Sequence, residues 1–469
     1  MADLSVDTTT IPGLLILHLP VHTDPRGWFK ENWQRAKMVA AGLPDFAPVQ
    51  NNIAFNTHAG VTRGIHAEPW DKLVSVATGQ IFGAWADLRP GPTFGRTVTV
   101  TMGPDTAVFV PRGVGNAYQT LQPATAYSYL VNDHWTPAAK ASYTFVNLAD
   151  PTLAIDWPIS LDRAEVSDAD RHHPTLDAIT PMPPKKTLIL GAGGQLGRAL
   201  RSALPDATAY TSADFDLTNP DAYHHIHWPD IDTIINAAAY TKVDQAETPQ
   251  GRRAAWAVNV SAVSRLARVA AAHNITLVHL SSDYVFDGTR TEHDEDEPVS
   301  PLGVYGQTKA AGDAIVATVP RHYLIRTSWV IGDGHNFVAT IARLADQGIN
   351  PTVVNDQHGR LTFTTTLTDA ITHLLTTGAP YGTYNITNTG PTHTWADIAR
   401  TIYQLRGRNP NDITPTTTAQ YTTGKTTAPR PQHSTLTLHK ITTTGYTPPT
   451  PDHLLTTYLN HLPTPADQT

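Results

Sequence analysis

Short apolar runs dominate the first third of the chain, and none keeps a helical spacing for long. Residues 14–17, 73–78, 82–88, 97–101, 107–110 and 125–131 read as strands separated by Gly and Pro, the pattern of an antiparallel barrel or sandwich. The pattern changes near residue 187. Apolar runs at 187–190, 231–236, 276–281 and 323–330 read as strands, and the stretches 198–204 and 254–272 carry helical spacing between them. Such alternation predicts a parallel, doubly wound sheet. Pro181-Met182-Pro183-Pro184-Lys185-Lys186 lies between the two patterns, and its prolines discourage both helix and central strand. The expected organisation is a domain over 1–180, a linker over 181–186 and a second domain over 187–469. The last hundred residues are rich in threonine yet keep apolar and aromatic positions, which predicts a folded substrate-side portion.

Composition narrows the function classes. With 469 residues, two or three domains are expected. Hydrophobic residues at 40% and charged residues at 16% are an ordinary globular balance. The net charge of −8, without a long basic stretch, argues against a nucleic-acid partner. There is no cysteine, so disulfides, thiol catalysis and Cys-type zinc sites are excluded. The N-terminus lacks a basic region followed by an apolar core, and no apolar run reaches membrane-spanning length. The expectation is a soluble, cytoplasmic protein with no membrane contact and no metal.

Chemistry enters with the glycines. The strand at 187–190 runs into Gly191-Ala192-Gly193-Gly194-Gln195-Leu196-Gly197 and then into the helical stretch ended by Pro205. Gly-x-x-Gly-x-x-Gly between strand and helix is the setting of a dinucleotide site: glycines allow close backbone approach, and the helix N-terminus offers N–H groups to a pyrophosphate. Downstream, Ser282 follows an apolar strand, and Tyr305 and Lys309 stand four apart, on one face of a helix. A tyrosine beside a fixed ammonium is a better proton donor, because the positive charge favours phenolate. No carboxylate follows the second-strand candidate 208–210, where Thr211 and Ser212 stand. The usual grip on a ribose 2′-hydroxyl is therefore absent, which favours NADPH, with NADH as the second choice. His224-His225-Ile226-His227 and the acidic run 294–297 read as solvated loops.

From Thr187 to about His461 the sequence resembles dTDP-4-dehydrorhamnose reductase, of the extended short-chain dehydrogenase/reductase superfamily. The matching stretches are the glycine motif, Asp216-Leu217-Thr218, Asn236 to Asp244, Ala257-Val258-Asn259, Ser281 to Gly288, Ser300 to Gly306, Arg326-Thr327-Ser328-Trp329, and Arg430-Pro431 with Ser434. The resemblance implies hydride transfer from a reduced nicotinamide to the C4 ketone of a dTDP-bound 6-deoxyhexose. It makes Tyr305 the proton donor, Ser282 its hydrogen-bonding partner at the ketone oxygen, and Lys309 the group that lowers the tyrosine pKa and binds the nicotinamide ribose. It places Gly191, Gly193, Gly194, Gln195, Leu196 and Gly197, Asp216 and Leu217, and Ala237, Ala238 and Ala239 against the cofactor. Trp329 and Arg430 would touch substrate. Gly359-Arg360-Leu361-Thr362 departs from the family's Gly-x-Pro-Thr.

Residues 1 to about 178 resemble dTDP-4-dehydrorhamnose 3,5-epimerase, a metal-independent cupin-like jelly roll. Asp24 to Glu31, Gln50-Asn51-Asn52, Gly60 to His66, Lys72-Leu73-Val74, Asp87-Leu88-Arg89, Pro92 to Gly95, Ile155 to Pro158 and Val166 to Asp170 carry the likeness. Epimerisation beside a ketone needs a base on one face and an acid on the other. The resemblance implies His66 as the base held by Asp170, Lys72 at the enolate oxygen and Tyr129 as the acid. Substrate would be bound by Arg26, Glu31, Gln50, Asn52, Arg63 and Asn116, the two arginines at the diphosphate. Asn116 stands where related epimerases commonly carry histidine, and asparagine cannot titrate near neutrality.

The whole chain thus reads as a multi-domain protein: an all-β cupin-like jelly roll followed by an α/β Rossmann-type doubly wound domain with a smaller substrate-binding portion. The expected function is bifunctional, epimerase then reductase, making dTDP-L-rhamnose, with tethering raising the local concentration of the second site. The alternative is an active reductase carrying a non-catalytic or single-centre epimerase-like module and acting on another dTDP-deoxysugar. A homo-oligomer, a dimer by family habit, is expected.

Overall fold

A computed structural model describes residues 3–462. The chain divides into two compact units, Met1–Lys185 and Lys186–Thr469. The stretch 181–186 differs from a loose linker: Met182 is buried, and its N–H donates to the Leu88 carbonyl at 2.8 Å. Burial of the Met182 side chain and this hydrogen bond fasten a proline-rich segment that cannot pair as a strand.

The strands of the first unit, in chain order, are β1 (Ser5–Thr8), β2 (Leu15–His18), β3 (Val21–Asp24), β4 (Gly27–Lys30), β5 (Gln50–Asn56), β6 (Val61–Ala67), β7 (Lys72–Thr78), β8 (Ile81–Asp87), β9 (Thr97–Met102), β10 (Thr106–Val110), β11 (Val114–Thr120), β12 (Thr125–Val131), β13 (Thr144–Phe145) and β14 (Glu165–Val166). One sheet has the order β1-β2-β10-β7-β12-β5, and the other β13-β6-β11-β8-β9, with β14 beside β6. A β3–β4 hairpin stands apart from both. The helices here are short: α1 (Arg35–Ala40) and α2 (Asp168–Arg171). Val74, Val108 and Tyr127 of the first sheet pack with Trp85, Val114 and Tyr118 of the second in one buried cluster, as the inner faces of a sandwich do. This is a cupin-like jelly roll. Three strands that hydrophobic alternation did not announce, β5, β6 and β11, carry Asn52, His66 and Asn116.

The second unit is built on a parallel sheet. Its strands are β15 (Lys186–Leu190), β16 (Thr208–Tyr210), β17 (Ile231–Asn236), β18 (Thr276–Leu280) and β19 (His322–Arg326), and the strand Gly382–Asn385 closes it. The order is β16-β15-β17-β18-β19 and then that last strand, every pairing parallel. Order reverses between β15 and β17, the switch point where such sheets bind ligands. The helices are α3 (Gln195–Ala203), α4 (Val243–Ala246), α5 (Pro249–Trp256), α6 (Val263–Ala272) and α7 (Val304–Val316). A π-helical segment, Ala257–Ala262, joins α5 to α6. Irregular turns of that kind often mark functional positions, and its Asn259 side chain reaches Thr308 Oγ1 at 3.0 Å.

The strand expected over 323–330 ends earlier. β19 stops at Arg326, and Trp329 takes a positive φ of 46°, which breaks the extended backbone before Val330–Ile331. The smaller portion has its own core, where Val338, Ile341, Ile398, Ile402, Tyr403 and Leu455 meet. These come from the helices Phe337–Asp346, Trp395–Leu405 and Pro451–His461.

Candidate active sites

In the jelly roll, His66 on β6 pairs in register with Asn116 on β11. Its Nε2 lies 2.8 Å from Asp170 Oδ1, delivered by α2. Ser167 caps that helix by accepting from the Asp170 N–H at 3.1 Å. Burial opposes ionisation of Asp170, but hydrogen bonds from His66, Ser167 and His173 and the charge of His66 outweigh it, so its carboxyl sits below the usual range. A carboxylate held ionised can orient His66 and stabilise its imidazolium.

Lys72, at the start of β7, is almost fully buried, and a buried ammonium needs a partner. Glu68 supplies it, Oε1 lying 2.6 Å from Lys72 Nζ, while Trp70 Nε1–H donates to Glu68 Oε2 at 2.5 Å. Lys72 Nζ stands 5.9 Å from the centre of the Tyr129 ring. Burial, and then the charge of Glu68, raise the Tyr129 pKa, so its hydroxyl keeps its proton. Tyr127 O–H donates to Asn116 Oδ1 at 3.1 Å, which fixes the amide.

Arg63 on β6 donates through Nε to Asn56 Oδ1 at 3.4 Å, and Tyr118 O–H donates to the same oxygen at 3.3 Å. Asn52 faces Tyr129 across β5 and β12, and its Oδ1 accepts from Gln50 Nε2 at 2.9 Å. Two expected binding residues are placed elsewhere. Arg26 is fully outward at the β3–β4 turn, bonded to Asp24, and Glu31 pairs with Lys37 at 2.6 Å beside a pocket lined by Leu19, His22 and Met38.

Sequence reasoning missed Glu68 and His173. Glu68 lies two residues beyond His66, the spacing that puts side chains on one face of a strand, so a signal was present. His173 belongs to the doublet His172-His173 and was hidden among loop residues. The ligand-capable atoms of His66, Asp170 and His173 all lie within 4.8 Å of one another, and their Nε2–Oδ1 separations of 2.8 and 3.2 Å are hydrogen-bond distances.

In the second unit a cavity of about 700 Å³ opens at the switch point. Gly191, Gly193, Gly194, Gln195 and Leu196 line it, with Ala237, Ala238, Ala239, Thr211, Ser212, Tyr305 and Lys309. Gly191 has a φ of +82°, and a Cβ there would come within 2.6 Å of the Ala238 nitrogen, so only glycine serves this turn. Gly197 packs against Gly191 and Ala192, where no Cβ fits. The free N–H groups at the start of α3 and the close glycine backbone fit a dinucleotide pyrophosphate. Asp216 and Leu217 do not line the cavity. Asp216 Oδ1 accepts from Thr218 N–H and Oγ1, and Leu217 is buried in the core.

Tyr305 and Lys309 share one face of α7. Burial pushes the Tyr305 phenol well up, and a hydrogen bond with Ser282 works against it. Ser282 Oγ also donates to Asp283 Oδ1 at 2.9 Å and accepts from Tyr284 N–H at 3.2 Å. Lys309 is brought down to about 8 by burial, with Asp313 opposing the fall. Its Nζ donates to the Leu280 carbonyl at 2.5 Å and lies 3.5 Å from His279 Nε2. His279 is fully buried, holds Asn236 Nδ2 at 3.0 Å from its Nδ1, and was not foreseen. Nothing in an apolar strand distinguishes it.

Trp329 and Arg430 lie outside that cavity lining. Trp329 stacks on Trp395 with 3.6 Å between centroids, and Gly359 leaves the room its ring needs. Arg430 grips Asp244 through Nη2 at 2.9 and 3.0 Å, and hydrogen-bonds Tyr284.

Comparison with known proteins finds a match for each unit. Residues 185–462 match the RmlD substrate binding domain, and residues 8–178 match dTDP-4-dehydrorhamnose 3,5-epimerase. The Protein RmlC homolog of Streptococcus pyogenes serotype M6 is 49% identical over 180 residues, 37% of this chain and 90% of that protein. The dTDP-4-dehydrorhamnose reductase of Aggregatibacter actinomycetemcomitans is 39% identical over 277 residues, 55% of this chain and 92% of its own. A crystal structure of dTDP-4-dehydrorhamnose reductase from Bacillus anthracis in complex with NADP is 31% identical with a TM-score of 0.54, covering 60% of this chain and 98% of that one. With matches of this extent in each half, the chain belongs to the RmlD family of dTDP-4-dehydrorhamnose reductases through its second unit and to the dTDP-4-dehydrorhamnose 3,5-epimerases through its first.

Proposed function

We propose that this chain catalyses two consecutive steps of dTDP-L-rhamnose formation. The first unit epimerises dTDP-4-dehydro-6-deoxy-D-glucose at C3 and C5, and the second reduces the C4 ketone with NADPH. What supports this above all is that each unit carries its own acid–base set, His66–Asp170 with Lys72 and Tyr129 in one, Ser282–Tyr305–Lys309 in the other.

In the first step, His66 takes the proton beside the ketone, and the electron pair moves onto the carbonyl oxygen. Lys72 stabilises that enolate oxygen. Tyr129, kept protonated by burial and by Glu68, returns a proton on the opposite face. Arg63 offers its guanidinium to the diphosphate, a geometry suited to phosphate oxygens, with Gln50, Asn52 and Asn116 as neutral hydrogen-bonding partners.

In the second step a bound reduced nicotinamide supplies the hydride. Tyr305 gives its proton to the ketone oxygen, which Ser282 also hydrogen-bonds, and Lys309 holds the ribose and eases ionisation of Tyr305. Thr211 and Ser212 stand at the cavity wall where a carboxylate would repel a 2′-phosphate, which suits NADPH. Incubation of the purified chain with dTDP-4-dehydro-6-deoxy-D-glucose in deuterium oxide tests the reading. Without NADPH, deuterium should enter C3 and C5; with it, NMR should identify dTDP-L-rhamnose. Deuterium at one centre only, or another sugar, would contradict it.

We also assign the chain to a homodimer through its first unit. β5 is an edge strand that exposes Ile53 and Phe55, and the β3–β4 hairpin exposes Trp28 and Phe29. Apolar side chains on an unpaired edge call for a partner. Sedimentation equilibrium should give twice the chain mass, and a monomer at micromolar concentration would refute it. No helix among the described residues is long and apolar enough to cross a membrane, and we place the enzyme in the cytoplasm, to be checked by recovery in the soluble fraction of lysed cells.

A further inference from the structure

His173 has no part in the chemistry assigned above, yet it is built into it. The residue lies just beyond α2, with its ring stacked on Phe145 at 4.6 Å between centroids and edge-on to His66 at 5.7 Å. Its Nε2 is 3.2 Å from Asp170 Oδ1, the same oxygen that lies 2.8 Å from His66 Nε2. An ionised carboxylate accepts and cannot donate. Both Nε2 atoms therefore carry hydrogen, and the lone pair of each ring sits on Nδ1. One carboxylate oxygen serves two ring donors.

We propose that His173 is a positioning residue: by donating its Nε2–H to the oxygen shared with His66, it divides the charge of Asp170 and so sets the pH at which His66 becomes a base. The inference rests on His66 being the base of the epimerisation. When the substrate proton moves to His66 Nδ1, the imidazolium leans on Asp170. A second donor on that oxygen weakens the support and keeps His66 unprotonated to a lower pH. The bond of His66 Nε2–H to Asp170 leaves Nδ1 as the atom that takes the proton.

The charged neighbours do not duplicate this effect. Burial and then the charge of His66 disfavour protonation of His173, against the pull of Asp170. Glu68 is matched by Lys72, Lys140 on the turn before β13 is exposed, and Asp168 and Arg171 on α2 are exposed as well. Tyr129 and Tyr143 are both raised by burial and stay protonated through neutrality.

The test is the pH dependence of solvent-deuterium incorporation at C3 and C5, measured on the full chain with dTDP-4-dehydro-6-deoxy-D-glucose and no NADPH. His173→Phe keeps a ring against Phe145 and removes the donor. Its acid limb should move up by about one pH unit, which makes exchange about tenfold slower well below the midpoint and leaves the high-pH plateau nearly unchanged. His173→Gln restores an N–H and should bring the limb back toward the parent. A folded Phe variant whose limb does not move, or a Gln variant identical to it, overturns the proposal. Should His173→Phe fail to fold, nitrogen-15 NMR of the parent decides: hydrogen on both Nε2 atoms supports charge sharing, and a bare His173 Nε2 overturns it. Loss of the base reading itself shows separately, as exchange that survives His66→Ala.

Discussion

Replacing Tyr305 by Phe is expected to slow ketone reduction by about 10³-fold while deuterium exchange at C3 and C5 proceeds at the parent rate. Removing a positioned general acid costs two to four orders of magnitude, here about 4 kcal/mol of barrier. Phe fills the space of the ring, which packs edge-on against Tyr284 at 5.5 Å, so the fold should survive. Only the hydroxyl and its hydrogen bond with Ser282 are lost. NADPH oxidation followed at 340 nm measures the first reaction, and proton NMR in deuterium oxide the second. Reduction within tenfold of the parent would remove Tyr305 from its role.

His66→Ala should produce the mirror image. Exchange is expected to fall by about 10³-fold, because no other histidine is both held by Asp170 and placed on β6. Reduction of dTDP-4-dehydro-L-rhamnose, supplied ready-made, should be unaffected. The alanine also removes one of two donors from Asp170 Oδ1, and His173 remains to satisfy that oxygen, so the local structure should hold. If both reactions vanished in a folded His66→Ala protein, the assignment of separate chemistries to the two units would fail.

Much of this architecture is readable from residue order, for identifiable reasons. The apolar strands β7, β10, β12, β15, β17 and β18 are buried on both faces or nearly so, and continuous burial leaves continuous apolar runs. The glycine turn is equally plain, since Gly191 and Gly197 occupy places where a Cβ meets backbone. Three of the strands that were missed, β5, β6 and β11, carry candidate site residues. β6 carries Arg63, Gly64 and His66, and β11 carries Gly115 and Asn116; polar side chains there interrupt the alternation by which strands are recognised.

Other features depend on long-range contact and leave no local trace. His279 looks like one more strand residue until Asn236 and Lys309 are seen on its two nitrogens. The early end of β19 goes with the left-handed backbone of Trp329, whose ring stacks on Trp395 in the smaller portion. Asp216 illustrates the converse. The resemblance places it against the cofactor, yet its carboxylate accepts from Thr218, and Thr211 and Ser212 line the cavity instead. The resemblance makes Arg26 and Glu31 substrate-binding residues, Arg26 at the diphosphate; within this unit Arg26 sits on the turn of the β3–β4 hairpin with Asp24, and Glu31, just past it, pairs with Lys37.

Mixing the two damaged proteins tests most directly whether one chain holds two self-sufficient reaction centres. Tyr305→Phe and His66→Ala, each unable to form dTDP-L-rhamnose alone from dTDP-4-dehydro-6-deoxy-D-glucose and NADPH, should make it when combined, as the ketosugar released by one is reduced by the other. NMR detection of that product in the mixture is the predicted result. A mixture as inactive as its components, with both proteins folded, would contradict the account.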